Sequence, residues 1–179
     1  GKRFCNEDGP YDVVFNLGAQ QPGGFYWQVF DASSWDDVVS FDTTICSRVV
    51  AKSGAKNCLL LGQFWPCTDA DMWNEVYIEP NVANGNLIKC DTLEELADAM
   101  GFDTEAKEAF LQQVERYNEM ATAGWDLDYG KAPWRLSNID EPPYYACKLA
   151  GWLLSTLSGV RVDNTYAPLT PEGKRIEGL

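Results

Sequence analysis

Apolar positions change their period several times along this chain. The clearest stretch runs from Thr92 to Gly124. Thr92-Leu93-Glu94-Glu95 is a capping box, with a threonine at the N-cap and a glutamate three residues on. Leu93, Leu96, Ala97 and Met100 then fall on one helical face, and Gly101 is placed to stop the helix. Asp103 or Thr104 opens a second helix, whose apolar residues Phe110, Leu111, Val114, Tyr117 and Met120 keep helical spacing up to Gly124. The link between the two is very short, so they are predicted to pack as an αα-hairpin with their acidic faces in solvent.

Elsewhere the pattern is shorter in range. Gly1–Asp12 is polar, with a turn signal at Asp8-Gly9-Pro10, and Val13–Leu17 is a brief apolar run. After the break at Gln21-Pro22-Gly23-Gly24, Phe25–Phe30 is aromatic and β-branched and is predicted to be a strand. Ser33 or Ser34 then caps a short helix through Val39. Thr44–Ala51 and Cys58–Leu61 fit either strand or helix, and Phe64–Asn74 has no clear period. Glu79–Asn86, with Pro80, Asn84 and Gly85, is expected to be a loop, and Leu87–Cys90 a brief strand. Trp125–Pro143 is expected to be irregular, Tyr144–Leu149 and Thr156–Val162 strands, and Gly173 a hairpin turn. One strong helical pair among scattered strands predicts an α+β fold: a small sheet with a packed helical hairpin.

Composition narrows the function. A chain of 179 residues with 45% hydrophobic and 23% charged residues is the size of one globular domain. Its net charge of −13 repels phosphate backbones and argues against nucleic-acid or anionic-membrane partners. No apolar run approaches the length of a membrane span. The chain has no histidine, which excludes imidazole triads, dyads and metal sites built on that ring. Cys5, Cys46, Cys58, Cys67, Cys90 and Cys147 form no C-x-x-C pair and are expected to be mostly reduced thiols, with one or two disulfides as the alternative. No Gly-rich phosphate loop occurs, and Gly23-Gly24 does not fit one. The pairs Asp36/Asp37 and Asp69/Asp71 could hold a hard cation but lack any such spacing. They are expected to be solvated surface, and Asp126 and Asp128 solvated loop acids.

Six segments, in order, resemble one family: the FAD-dependent fumarate reductase/succinate dehydrogenase flavoproteins, in their flavocytochrome c and urocanate reductase branch. Gly1–Glu7 is similar to that family's GKRFxNE, and Phe25–Asp31 to its strand ending in Phe-Asp. Asp91–Ala97 with Val114–Asn118 resembles its helical pair, and Asp126–Lys131 with Pro142–Ala146 its D-x-D-F-G-K and P-P-Y-Y-A segments. Thr156–Val160 and Gly173–Leu179 are similar to the two that follow. Residues 41–90 lie outside the resemblance.

In that family a capping domain interrupts the FAD-binding domain. The resemblance therefore implies that residues 1–155 are the capping, substrate-covering domain and that 156–179 return toward an FAD-binding domain of the same parent chain. It implies FAD in the parent protein, none on this chain alone, and a chain inactive by itself. The parent's implied activity is that of an oxidoreductase acting on an activated C–C double bond of a small-molecule substrate, by hydride transfer with flavin N5. The compartment stays open between cytoplasm and export. The other reading is a non-catalytic acidic binding module that shares the fold.

The family's proton-donating arginine aligns with Tyr11, and its carboxylate-clamping histidine with Leu154, beside Ser155 and Thr156. Losing both cations disfavours strict fumarate reduction. Tyr11 is then the candidate proton donor, since a phenol serves as a general acid where its anion is stabilised, or else only a packed loop aromatic. Leu154, Ser155 and Thr156 are candidate substrate-binding residues, and the richness in aromatics suggests a larger, less charged substrate.

Overall fold

A computed structural model describes residues 1–40, 69–151 and 159–178. Its elements run α1 (Tyr11–Ala19), β1 (Phe25–Phe30), α2 (Ser34–Ser40), α3 (Ala70–Trp73), α4 (Glu79–Ala83), β2 (Leu87–Cys90), α5 (Leu93–Ala99), α6 (Thr104–Ala123) and β3 (Tyr144–Ala150). The strands form one antiparallel sheet in the order β1-β3-β2, which is the α+β arrangement expected.

The register explains why both sheet faces are covered. Val29 lies opposite Ala146, and Ala146 opposite Ile88. These residues share a face because side chains alternate along a strand. That face meets α5 and α6 in a core of Leu96, Ala97, Met100, Phe110, Val114 and Ala146. The helical hairpin forms as its caps dictate: Thr92 Oγ1 accepts from Glu95 N at 3.1 Å and Asp103 Oδ1 from Ala106 N at 2.8 Å. Gly124 closes α6 in the left-handed region, at φ 72°. On the opposite face Phe30, Tyr145, Cys147 and Leu87 pack with Ile78, Trp73 and Val82.

Val13–Leu17, read from the sequence only as a brief apolar run, lies in α1, whose N-cap is Pro10. Glu79–Asn86 is not wholly loop. Residues 70–83 are continuously helical, through a wide π-type turn at Asn74–Ile78 that runs into α4. Pro80 sits in the first turn of α4, where its missing N–H is tolerated. Thr44–Ala51, Cys58–Leu61 and the first three residues of Thr156–Val162 lie outside the described residues. The end of that last segment makes only a bridge, Val162 to Pro168. Gly173 makes the expected turn, at φ 81°. Cys5, Cys90 and Cys147 are free thiols.

Helix α1 rests on the sheet through a glycine. Gly18 is buried, and a Cβ there would lie 2.7 Å from the Tyr26 ring. Gly18→Ala is therefore expected to destabilise the fold by about 1–3 kcal/mol through overpacking, with denaturant titration of the variant as the check.

Candidate functional site

The segment leading to Tyr11 is anchored by charge. Arg3 reaches two carboxylates at once. Its guanidinium donates to Glu7 at 2.7 and 2.8 Å and to Asp126 at 2.9 and 3.2 Å. It also lies over two rings, 4.9 Å from the centre of Tyr117 and 5.0 Å from that of Tyr129. The planar, delocalised guanidinium suits both tasks, which an ammonium would not perform together. Tyr129 closes the arrangement by donating its hydroxyl proton to the Arg3 carbonyl at 2.9 Å.

Asp126 corrects the reading of it as a solvated loop acid, because it is only 5% exposed. Its carboxylate also accepts the backbone N–H groups of Asp128, Tyr129 and Lys131. Burial pushes its pKa up, but Arg3 and these amides outweigh burial and hold it well below the usual carboxylate range. Burial likewise works against the Arg3 charge, and Glu7 and Asp126 outweigh it. Asp128 does behave as a loop acid, paired with Arg116 on the surface.

The residues between Arg3 and α1 are held just as closely. Asn6 starts a tight turn, accepting Asp8 N at its side chain (2.9 Å) and Gly9 N at its carbonyl (3.1 Å). Lys131 Nζ lies 3.8 Å from Glu7 and donates to the Tyr117 hydroxyl at 2.8 Å. Arg135, buried on the turn Pro133–Arg135, pairs with Asp8 at 3.4 Å. Pro10 follows, and its carbonyl accepts Val13 N and Val14 N, so α1 starts on a fixed corner.

A second buried carboxylate ties the far side. Asp31 is 2% exposed and accepts from Ser33 N, Ser33 Oγ, Asp140 N and Glu141 N, joining the end of β1 to the approach to β3. Nearby, burial pushes the Asp37 carboxyl up, against hydrogen bonds from Ser137 and Ser33.

Tyr11 stands at the head of α1, 62% exposed. Leu154, Ser155 and Thr156 lie outside the described residues. Among the described residues no group of acidic or cysteine side chains is arranged to hold a metal ion, Asp69/Asp71 and Asp36/Asp37 included. Arg3, Asp8, Lys131 and Arg135 were not singled out by sequence reasoning. Arg3 and Lys131 lay in two stretches read for resemblance, Gly1–Glu7 and Asp126–Lys131, and Asp8 in a turn signal, but no local pattern exposes their pairing.

The open cleft among the described residues does not fit the pyrophosphate of FAD. It has a volume of about 430 Å³ and lies between Lys2, Arg3, Pro22, Asp103, Glu105 and Ala106. Asp103 and Glu105 line it against Lys2, and the Arg3 charge is already engaged by Glu7 and Asp126, so the cleft presents a mixed field rather than the basic cradle a pyrophosphate takes.

Comparison with known proteins supplies the class. The family model described as "FAD binding domain" matches residues 1–179. The chain belongs to that family, and the proteins it is similar to include ones named as fumarate reductases and 3-oxosteroid dehydrogenases. It is 32% identical to a probable fumarate reductase of Shewanella frigidimarina over 184 residues, covering 100% of this chain and 24% of that protein. It is 31% identical to a 3-oxosteroid 1-dehydrogenase of Mycolicibacterium smegmatis over 206 residues, covering 100% of this chain and 30% of that protein. The open conformation of a flavocytochrome c3 fumarate reductase shares the fold, at a TM-score of 0.65 and 24% identity over 100% of this chain and 24% of that one. The chain thus spans about a quarter to a third of the length of these relatives.

Proposed function

We propose that residues 1–155 are the substrate-covering cap of a longer FAD-dependent oxidoreductase, and that 156–179 lead back to its FAD-binding domain. The observation that carries this is the anchored corner at the start of α1. Four carboxylate–cation contacts hold residues 3–8, and the segment then delivers an exposed Tyr11. It is at this position that the resemblance puts the proton donor. A flavin bound by the FAD-binding part of the parent protein would supply the hydride.

The cap's own part is to orient the substrate, exclude water and supply a proton. In the reducing direction one alkene carbon would take the hydride. The other gains the Tyr11 hydroxyl proton, and the phenolate is reprotonated from solvent. Tyr11 and Leu154 carry no cationic charge to clamp a dicarboxylate. The substrate class is therefore an activated alkene larger and less charged than fumarate, with Ser155 and Thr156 contributing to its pocket. The relatives' names, a fumarate reductase and a 3-oxosteroid 1-dehydrogenase, frame the same range of substrates.

The test uses the reduced full-length flavoprotein in stopped flow, with fumarate, acrylate and 1,4-androstadiene-3,17-dione as acceptors. The cyclic enone should reoxidise the flavin faster than fumarate. Fumarate as the fastest acceptor overturns the substrate class, and no reoxidation by any of the three overturns the function.

A further inference from the structure

We propose that Asp8 and Arg135 are positioning residues for the Tyr11 hydroxyl, a role that rests on the reading of Tyr11 as proton donor. The path between them is short and stiff. Asp8 sits inside the turn that Asn6 closes through its side chain and its carbonyl. A Cβ at Gly9 would meet the Asn6 carbonyl oxygen at 3.0 Å, so the turn is drawn tight with no space for a side chain there. Pro10, at φ −56°, then passes directly into α1, whose first residue is Tyr11. A displacement of Asp8 is therefore carried to Tyr11 rather than absorbed between them.

Arg135 is well placed to prevent that displacement. It is 7% exposed, on a turn that begins at Pro133, and its Nε lies 3.4 Å from Asp8 Oδ1. The Asp8 side chain is itself 16% exposed. A buried ion pair adds little net stability, because desolvation offsets the attraction, and its use is to fix one arrangement over others. Glu7 is separately held by Arg3 and Lys131, so the turn has independent supports on its two sides. Loss of the Asp8–Arg135 pair should consequently leave the N-terminal segment docked while freeing the corner that aims Tyr11.

Positioning and plain structural support differ in a double-mutant cycle run on the full-length flavoprotein with 1,4-androstadiene-3,17-dione as acceptor. Asp8→Asn should lower the limiting reoxidation rate about tenfold to a hundredfold, with little change in the half-saturating concentration and full flavin loading. In a Tyr11→Phe background the same substitution should change the rate by less than about twofold, because the proton it would misplace is gone. Arg135→Lys, which keeps the charge, should fall between wild type and Asp8→Asn. It carries the same cycle should Asp8→Asn load flavin poorly.

Equal losses from Asp8→Asn in both backgrounds, or no loss in the Tyr11 protein, overturn the positioning role and leave the reading of Tyr11 standing. An unchanged rate in Tyr11→Phe alone overturns that reading, and the positioning role with it.

Discussion

Arg3→Met is expected to lower the unfolding free energy at neutral pH by about 3–5 kcal/mol, the usual cost of removing one partner from a buried ion pair. The Asp126 side chain has no exposed surface, and Arg3 supplies two of its hydrogen bonds. Without Arg3 the carboxylate stays buried with only the amides of Asp128, Tyr129 and Lys131 to answer it. Methionine retains much of the contact with Tyr117 and Tyr129, so the loss reports charge rather than volume.

The pH dependence follows from the depressed pKa of Asp126. A carboxyl held lower in the folded chain than in the unfolded one stabilises fully above the unfolded value of about 3.9, and loses that contribution as pH falls toward the folded value. The gap between wild type and Arg3→Met should therefore be widest near neutrality and narrow below about pH 4. Urea titrations at pH 7 and pH 3 measure it. A gap that stays constant between them would remove Asp126 from the account. Asp37 acts in the opposite sense, because its carboxyl is raised by burial and it costs stability as pH climbs past its unfolded value.

The parts legible in the sequence are those whose cause is local. The caps at Thr92 and Asp103, the stop at Gly124 and the strands at Phe25–Phe30 and Leu87–Cys90 each depend on a few consecutive residues, and all form where expected. Glu79–Asn86 misled because Pro80 normally ends a helix. Here it opens a turn that follows a π-type segment, and no short window contains both facts. Asp126 misled for a related reason. Its loop is polar and turn-rich, as a solvated acid's loop would be, but its partner Arg3 lies 123 positions away. Only the fold reveals that a charge near the start and an acid in the 126–131 loop neutralise one another. The same distance hid Arg135 and Asp8. Tyr11 was reached by resemblance, since nothing in Tyr-Asp-Val-Val-Phe marks a proton donor.

Tyr11→Phe should lower the limiting rate of enone reduction by about 10²–10⁴-fold, the range lost when a positioned general acid is removed. The substitution deletes one oxygen and keeps the ring. At 62% exposure the ring contributes little burial, so thermal unfolding and flavin loading should stay near wild type. Substrate affinity should also hold, because the proton is required only as the second carbon takes it up, and an interaction made in the transition state appears in the rate rather than in KM. Reduction of the flavin by dithionite needs no proton from the cap and provides the internal control. The decisive pattern is slow reoxidation by 1,4-androstadiene-3,17-dione with normal flavin reduction and normal saturation. A rate within about threefold of wild type would return Tyr11 to the status of an exposed aromatic. The acid would then have to be sought outside α1, while the Arg3 clamp would keep its structural role unchanged.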